Sequence, residues 1–300
     1  MNASGCAGVV QRSHQWVTKD FDALWSRHEP AVRKKIEAEL AISPPPTSDP
    51  LFREWIVETQ IASSAEEAMR VARDGLTELL CDAVGVHLFG PAAAAALLEF
   101  SARFSLDTDP QSTSRYPPWR YRLRQVAEQC RDDLAASKTV FSAGLPDCIR
   151  DFATWLSDID KIAAITTDQD IIDCKAVTSE PYRVIREEWH RVLQAVIELI
   201  PDSVRDAYRL SERADIIRSL VTRLEEGVPP NELGTWPNSQ PADLADILNA
   251  AWVYKVGEVK KSSHWGSMQQ FGMLYRLVLK AIESSHVHRR YASRMPGSAP

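Results

Sequence analysis

Two carboxylates, Glu78 and Asp82, stand one helical turn apart in the stretch Glu78-Leu79-Leu80-Cys81-Asp82, inside an otherwise apolar run. Spacing of i and i+4 projects both from the same face of a helix. An unpaired charge buried in such a helix is strongly unfavourable, so apolar helices normally exclude carboxylates. The pair must therefore meet polar partners inside the fold or line a polar site. Glu78 and Asp82 are the first candidates for chemistry in this chain.

The elements that position them read as helices. Apolar residues recur at helical spacing from Trp16 to Leu40 (Phe21, Leu24, Trp25, Val32, Ile36, Leu40), with charges between them. The proline-rich stretch Ser43 to Pro50 then breaks the chain. Ser64-Ala65-Glu66-Glu67 reads as a capping box that opens the helix carrying Glu78 and Asp82. Gly90-Pro91 ends or kinks that helix, and Pro91 suits the first turn of the next. A polar loop follows from Asp107 to Pro118.

Further helices are predicted at 119–137, 145–159, 179–200, 203–226, 242–256 and 267–291, with 227–241, rich in Pro, Gly and Asn, as a linker. Strand signals at 161–167 and 174–178 are too short and isolated to build a sheet. No internal repeat is visible. The expected class is all-α and multi-helical, with residues 1–140 and 141–300 as its two regions.

Composition narrows the function classes. A chain that is 44% hydrophobic and 25% charged is an ordinary globular protein. Its five cysteines (Cys6, Cys81, Cys130, Cys148, Cys174) are an odd number with no CxxC spacing. That argues against a disulfide framework or zinc ribbon and for reduced thiols in a cytoplasm. The longest apolar stretch, Ala83 to Leu98, is interrupted by His87 and Gly90-Pro91 and falls short of the roughly 20 residues of a membrane span. No signal peptide is expected, because the N-terminus lacks a basic region followed by an apolar run.

The Glu78-x-x-x-Asp82 helix, followed by Gly90-Pro91-Ala92 and a small-residue helix, resembles the third-ligand helix of gluzincin zinc metallopeptidases. It looks more like a group of uncharacterised bacterial proteins that carry such a helix. The resemblance spans residues 10–130. It implies a minimal helical scaffold in which the Glu ligates zinc and the Asp steadies a ligand histidine. Such proteins often carry His-Pro-Pro with an Arg four residues on; here Tyr116-Pro117-Pro118 and Arg122 stand in those places.

The family's catalysis needs His-Glu-x-x-His, with two metal-binding histidines and a general base between them. This chain has no such motif. His28-Glu29 begins one, but Val32 stands four residues on, and Pro30 disfavours an uninterrupted helix. Aligning the long N-terminal helix instead puts Val10 and Gln11 where the first histidine and the base belong, and retains only His14. Valine cannot bind zinc, and glutamine cannot take a proton from water at neutral pH. The resemblance therefore implies a vestigial site of His14, Glu78, Asp82 and Arg122, in which His14 and Glu78 are weak metal candidates and no residue is catalytic. The plainer alternative is that Glu78 pairs with a core arginine, Arg122 or Arg124, and supports packing only.

The remaining candidates carry less. Arg183 and His190 fit the R-x6-H spacing of helical ribonucleases, but arginine is common on solvated helix faces and Arg186 lies between them. His286-x-His288 with His264 would need two residues that diverge on a helix to share one ion. Residues 251–300 hold eight Lys/Arg against two Glu, a net +6 that leaves −12 for the remainder. Arg289 and Arg290 are the nucleic-acid candidates there. Docking of this basic region on the acidic half of the chain or on a partner is the favoured reading, because Trp252, Leu274, Leu277 and Ile282 interleave with the charges at helical spacing.

The sequence thus points to a non-catalytic helical binding or regulatory protein with an unidentified protein partner. A zinc hydrolase with an aberrant or incomplete site is the alternative, and a nucleic-acid-associated protein comes third.

Overall fold

Phe21, Trp25, Val32 and Ile36 share one helix face and are all buried. They hold α1 (Ala3–Ile42) as a continuous helix. The structure, a computed structural model, describes residues 3–47, 49–102, 117, 119–142, 146–164, 193–194, 197–198, 200–234, 239–261 and 268–292. Its class is all-α, with one two-stranded sheet among the described residues.

The interruption anticipated at Pro30 is absent: α1 runs straight through it. Proline removes one N–H and so frees the carbonyl of Ser26. Pro30 and Ser26 both lie on the exposed face, open to solvent, while the buried stripe opposite keeps the helix together.

Helix α2 (Pro50–Phe89) also starts earlier than the capping-box reading placed it. Its cap is Asp49, whose Oδ1 accepts from the backbone N–H of Leu51 at 2.9 Å, with Pro50 in the first helical position. The stripe Val57, Ile61, Ala68, Ala72, Leu76, Leu79 is buried on both sides of Ser64, so the helix continues past it. Arg33 of α1 reaches Glu58 of α2 at 2.7 Å and Glu54 at 3.5 Å.

The chain forms two units whose segments interleave in sequence: Met1–Asp82, Ser105–Arg122 and Thr166–Pro201 in the first, and Ala83–Phe104, Leu123–Ile165 and Asp202–Pro300 in the second. Beyond α2 come α3 (Pro91–Ala102), α4 (Trp119–Ser142), α5 (Asp147–Ala164), a single turn α6 (Asp202–Arg205), a 3-10 turn (Leu210–Arg213) and α7 (Ala214–Glu225). Strands β1 (Glu232–Leu233) and β2 (Gln240–Pro241) pair antiparallel, with Glu232 opposite Pro241, and α8 (Leu244–Lys261) and α9 (Met268–Ala292) follow. Most of the helix predicted over 179–200 and of the two weak strand candidates lies outside the described residues.

Within the second unit, Phe141, Ile149, Phe152, Leu156, Ile217, Leu220, Ile247 and Val253 form one buried cluster. Two corrections arise there. The single helix read over 203–226 is broken, because the Asp133 carboxylate takes the backbone N–H groups of Leu210 (2.8 Å) and Ser211 (3.2 Å) and starts a new turn. The stretch 227–241, read as a linker, holds the β1–β2 pair. Ala242 N–H and Ser285 Oγ both donate to Asn231 O, and Arg223 reaches Pro229 O and Glu232.

Candidate functional site

Helix α2 delivers Glu78 and Asp82, and the first turn of α4 delivers Arg122, all within the first unit. Arg122 Nε donates to Asp82 Oδ2 at 2.7 Å and Nη2 to Asp82 Oδ1 at 2.8 Å. The same Nη2 stands 3.4 Å from Glu78 Oε2. This is the two-pronged fork that a planar guanidinium makes with a carboxylate and a lysine cannot.

Trp119, three residues before Arg122 on α4, presents its ring 4.7 Å from the guanidinium carbon. The arginine is therefore fixed by hydrogen bonds along its edge and by an aromatic face. Side-chain exposure is 10% for Arg122, 13% for Asp82 and 33% for Glu78. Asp82 forms the inner pair and Glu78 the outer rim.

Burial raises the Asp82 carboxyl above the ordinary aspartate range, and the Arg122 hydrogen bonds and charge offset part of that rise. For Arg122, burial pulls downward. The Asp82 hydrogen bonds and the charges of Asp82 and Glu78 turn the net shift upward, so the guanidinium is held charged.

Asp82, which the resemblance makes the support of a ligand histidine, turns both carboxylate oxygens to Arg122, and Glu78, the expected zinc ligand, faces the same guanidinium. Of the aligned motif positions, Gln11 is exposed, while the side chains of Val10 and His14 lie outside the described residues, as do Arg183, His190 and His264. His286 is exposed and His288 half-buried on α9. Among the described residues no group of three or more His, Cys, Asp or Glu comes together to hold a metal ion, and no helix is long and apolar enough to cross a membrane.

Arg124, the other arginine considered as a partner, bonds Glu128 one turn along α4 at 3.1 Å. Arg289 donates to Ala242 O at 2.6 Å and Asp243 Oδ1 at 2.7 Å. Its guanidinium thereby ties α9 to the chain entering α8.

The polar groups that organise the second unit carry no local motif in the sequence. Asn249 of α8 is fully buried. Its amide nitrogen donates to Phe89 O at 2.8 Å and Ala245 O at 2.9 Å, and its oxygen accepts from Ala92 N–H at 3.0 Å. One side chain thus closes the end of α2 and the start of α3 across the Gly90 turn. Gly90 has φ +57°, and the Tyr208 ring lies where a Cβ would sit.

Asp246 is buried in the first turn of α8, where unpaired helix N–H groups favour a carboxylate. Arg213 stands 3.7 Å away. Burial and the facing Asp246 push the Tyr208 phenol well up. His87 Nδ1 donates to Arg205 O at 3.0 Å, and burial lowers its pKa below the ordinary histidine value. The signal that could have found Asn249 is its place in an alanine- and leucine-rich helix, where an unsatisfied amide would be costly.

No protein-family model, curated protein or solved structure matches the chain.

Proposed function

We propose that this chain is a non-catalytic helical binding protein, on a scaffold resembling the gluzincin metallopeptidases, whose carboxylate pair serves an internal ion pair. The observation that carries the reading is the seat of Arg122, which fills both oxygens of Asp82 and faces Glu78. Zinc hydrolysis needs the opposite arrangement, with carboxylate lone pairs on a metal and a general base beside its bound water. Gln11, at the position aligned with that base, has an amide that takes no proton at neutral pH.

The partner in this reading is a protein. Arg289, one of the two nucleic-acid candidates, is committed to Ala242 and Asp243 rather than to a phosphate. A cytoplasmic setting belongs to the same proposal, supported by an odd number of cysteines with no CxxC spacing.

The test is metal content by mass spectrometry on the purified chain, paired with proteolysis of an unfolded protein substrate with and without added zinc. The expected outcome is neither stoichiometric zinc nor cleavage. Bound zinc together with proteolysis abolished by Glu78→Gln would overturn the reading.

A further inference from the structure

We propose that one flank of α9 is a docking seam for an acidic amphipathic helix of a partner protein, a proposal that rests on the binding-protein reading and names its partner's chemistry. Helix α9 buries Leu274, Ala281 and Ser285 against its own unit. Beside that face runs the series Met273, Leu277, Lys280, Ser284, Val287, Tyr291. Met273 is 47% exposed, Val287 65% and Tyr291 64%, while Leu277 is half-buried at the margin.

The steps along this series alternate four and three residues, so Met273, Lys280 and Val287 repeat every seven, as do Leu277, Ser284 and Tyr291. That is the register of a two-helix seam. It extends about 27 Å along the axis at the helical rise per residue. A strand, with its repeat of two, would lose step with these positions within a turn or two, whereas a helix stays in register.

Charge selects among helices. Lys280 sits at the centre of the seam, and Arg276 is exposed beside it. Glu283 is the one acidic residue of α9 and lies 3.8 Å from Lys280. A facing helix with glutamates would complement Lys280 and Arg276. A second copy of α9 would instead bring its own Lys280 and Arg276 to the same seam. A nucleic-acid backbone would leave Met273 and Val287 without apolar partners.

The experiment uses the full chain and three synthetic four-heptad peptides. One has Leu at the two seam positions of each heptad and Glu at the flanking ones, the second has Lys in place of Glu, and the third is the acidic peptide scrambled. Mutual glutamate repulsion keeps the acidic peptide from pairing with itself at neutral pH. Fluorescence anisotropy at low salt should give saturable binding of the acidic peptide at about 10 µM, with neither of the others bound. M273S with V287S should weaken it at least about tenfold, as loss of two seam anchors would. Tyr275→Ser, on the opposite flank, should leave it unchanged.

R276E with K280E should exchange the preference, so that the basic peptide binds and the acidic one does not. All the substituted residues are exposed, and circular dichroism checks that each variant is folded. The proposal is overturned by no saturation at about 100 µM, by equal binding of the scrambled peptide, or by indifference to the Met273 and Val287 changes. Self-association of the chain lost with those same two changes would overturn it in favour of a second copy. A failed seam leaves the zinc and proteolysis results standing, and bound zinc with proteolysis would sink the earlier reading without touching the anisotropy.

Discussion

In the first unit the buried Arg122 meets the opposite charge of Asp82, whereas in the second the buried Asn249 joins two helices as a neutral amide. Asp82 and Arg122 satisfy each other through two hydrogen bonds, with Trp119 holding the guanidinium in plane. Asn249 carries no charge and instead satisfies three backbone groups from Phe89, Ala92 and Ala245. Removing one member of an ion pair strands a desolvated charge. Removing an amide strands only neutral dipoles. The comparison teaches that the ionic solution is the more brittle of the two, although it looks the stronger.

Arg122→Ala should break the comparison hardest. It leaves Asp82 desolvated and without its counter-charge, at a cost of about 4 kcal/mol. Amide hydrogen exchange along α2 up to Asp82 would register the loss. The double change Asp82→Leu with Arg122→Met should recover most of it, since two apolar side chains of similar volume need neither counter-ion nor hydrogen-bond partner. If the double variant proves worse than the single, the pair is not the source of the brittleness.

Asn249→Leu should come next, at about 3 kcal/mol, because it leaves the Phe89 carbonyl and Ala92 N–H buried without partners. Urea unfolding followed through Trp155 and Trp252, which stack with centroids 5.9 Å apart in the same unit, reports it. A loss as large as that of Arg122→Ala would erase the distinction between the two solutions.

The smallest effect concerns His87. Its folded pKa lies below the unfolded value of 6.5, so the unfolded chain binds a proton more readily. Stability is therefore full above pH 6.5 and is lost as pH falls through the lower folded value. His87→Gln, which keeps a donor for Arg205 O, should flatten this part of the stability profile. An unchanged slope in that variant would assign the acid sensitivity to other groups.

These two regions also differ in how far their sequences disclosed them. Two carboxylates at i and i+4 in an apolar helix demand a counter-charge, and Arg122 was one of two arginines singled out to supply it. Trp119 escaped notice because a tryptophan at a helix start announces no orientation. Asn249 escaped for another reason. Its three partners lie at Phe89, Ala92 and Ala245, and the first two are more than 150 residues away, a relation no local pattern carries. Pro30 and Ser64 misled for a shared reason. Each is a local breaker or cap signal, and in each case the buried stripe on the opposite face decided that the helix continued. Asp133 did the reverse, interrupting a helix whose periodicity was sound by drawing its backbone N–H groups to another helix.

At Gly257 of α8 an added Cβ would fall 2.2 Å from the Cβ of Cys148, at the start of α5. The two helices approach so closely there that the Cys148 side chain, 3% exposed, is roofed by backbone. The Cys148 sulfur itself faces Glu225 of α7 at 3.9 Å, so thiol reagents reach it when the packing of α5 against α7 and α8 loosens, and its labelling rate is a natural clock for that loosening. The chain thus carries its own chemical stopwatch for the breathing of the second unit.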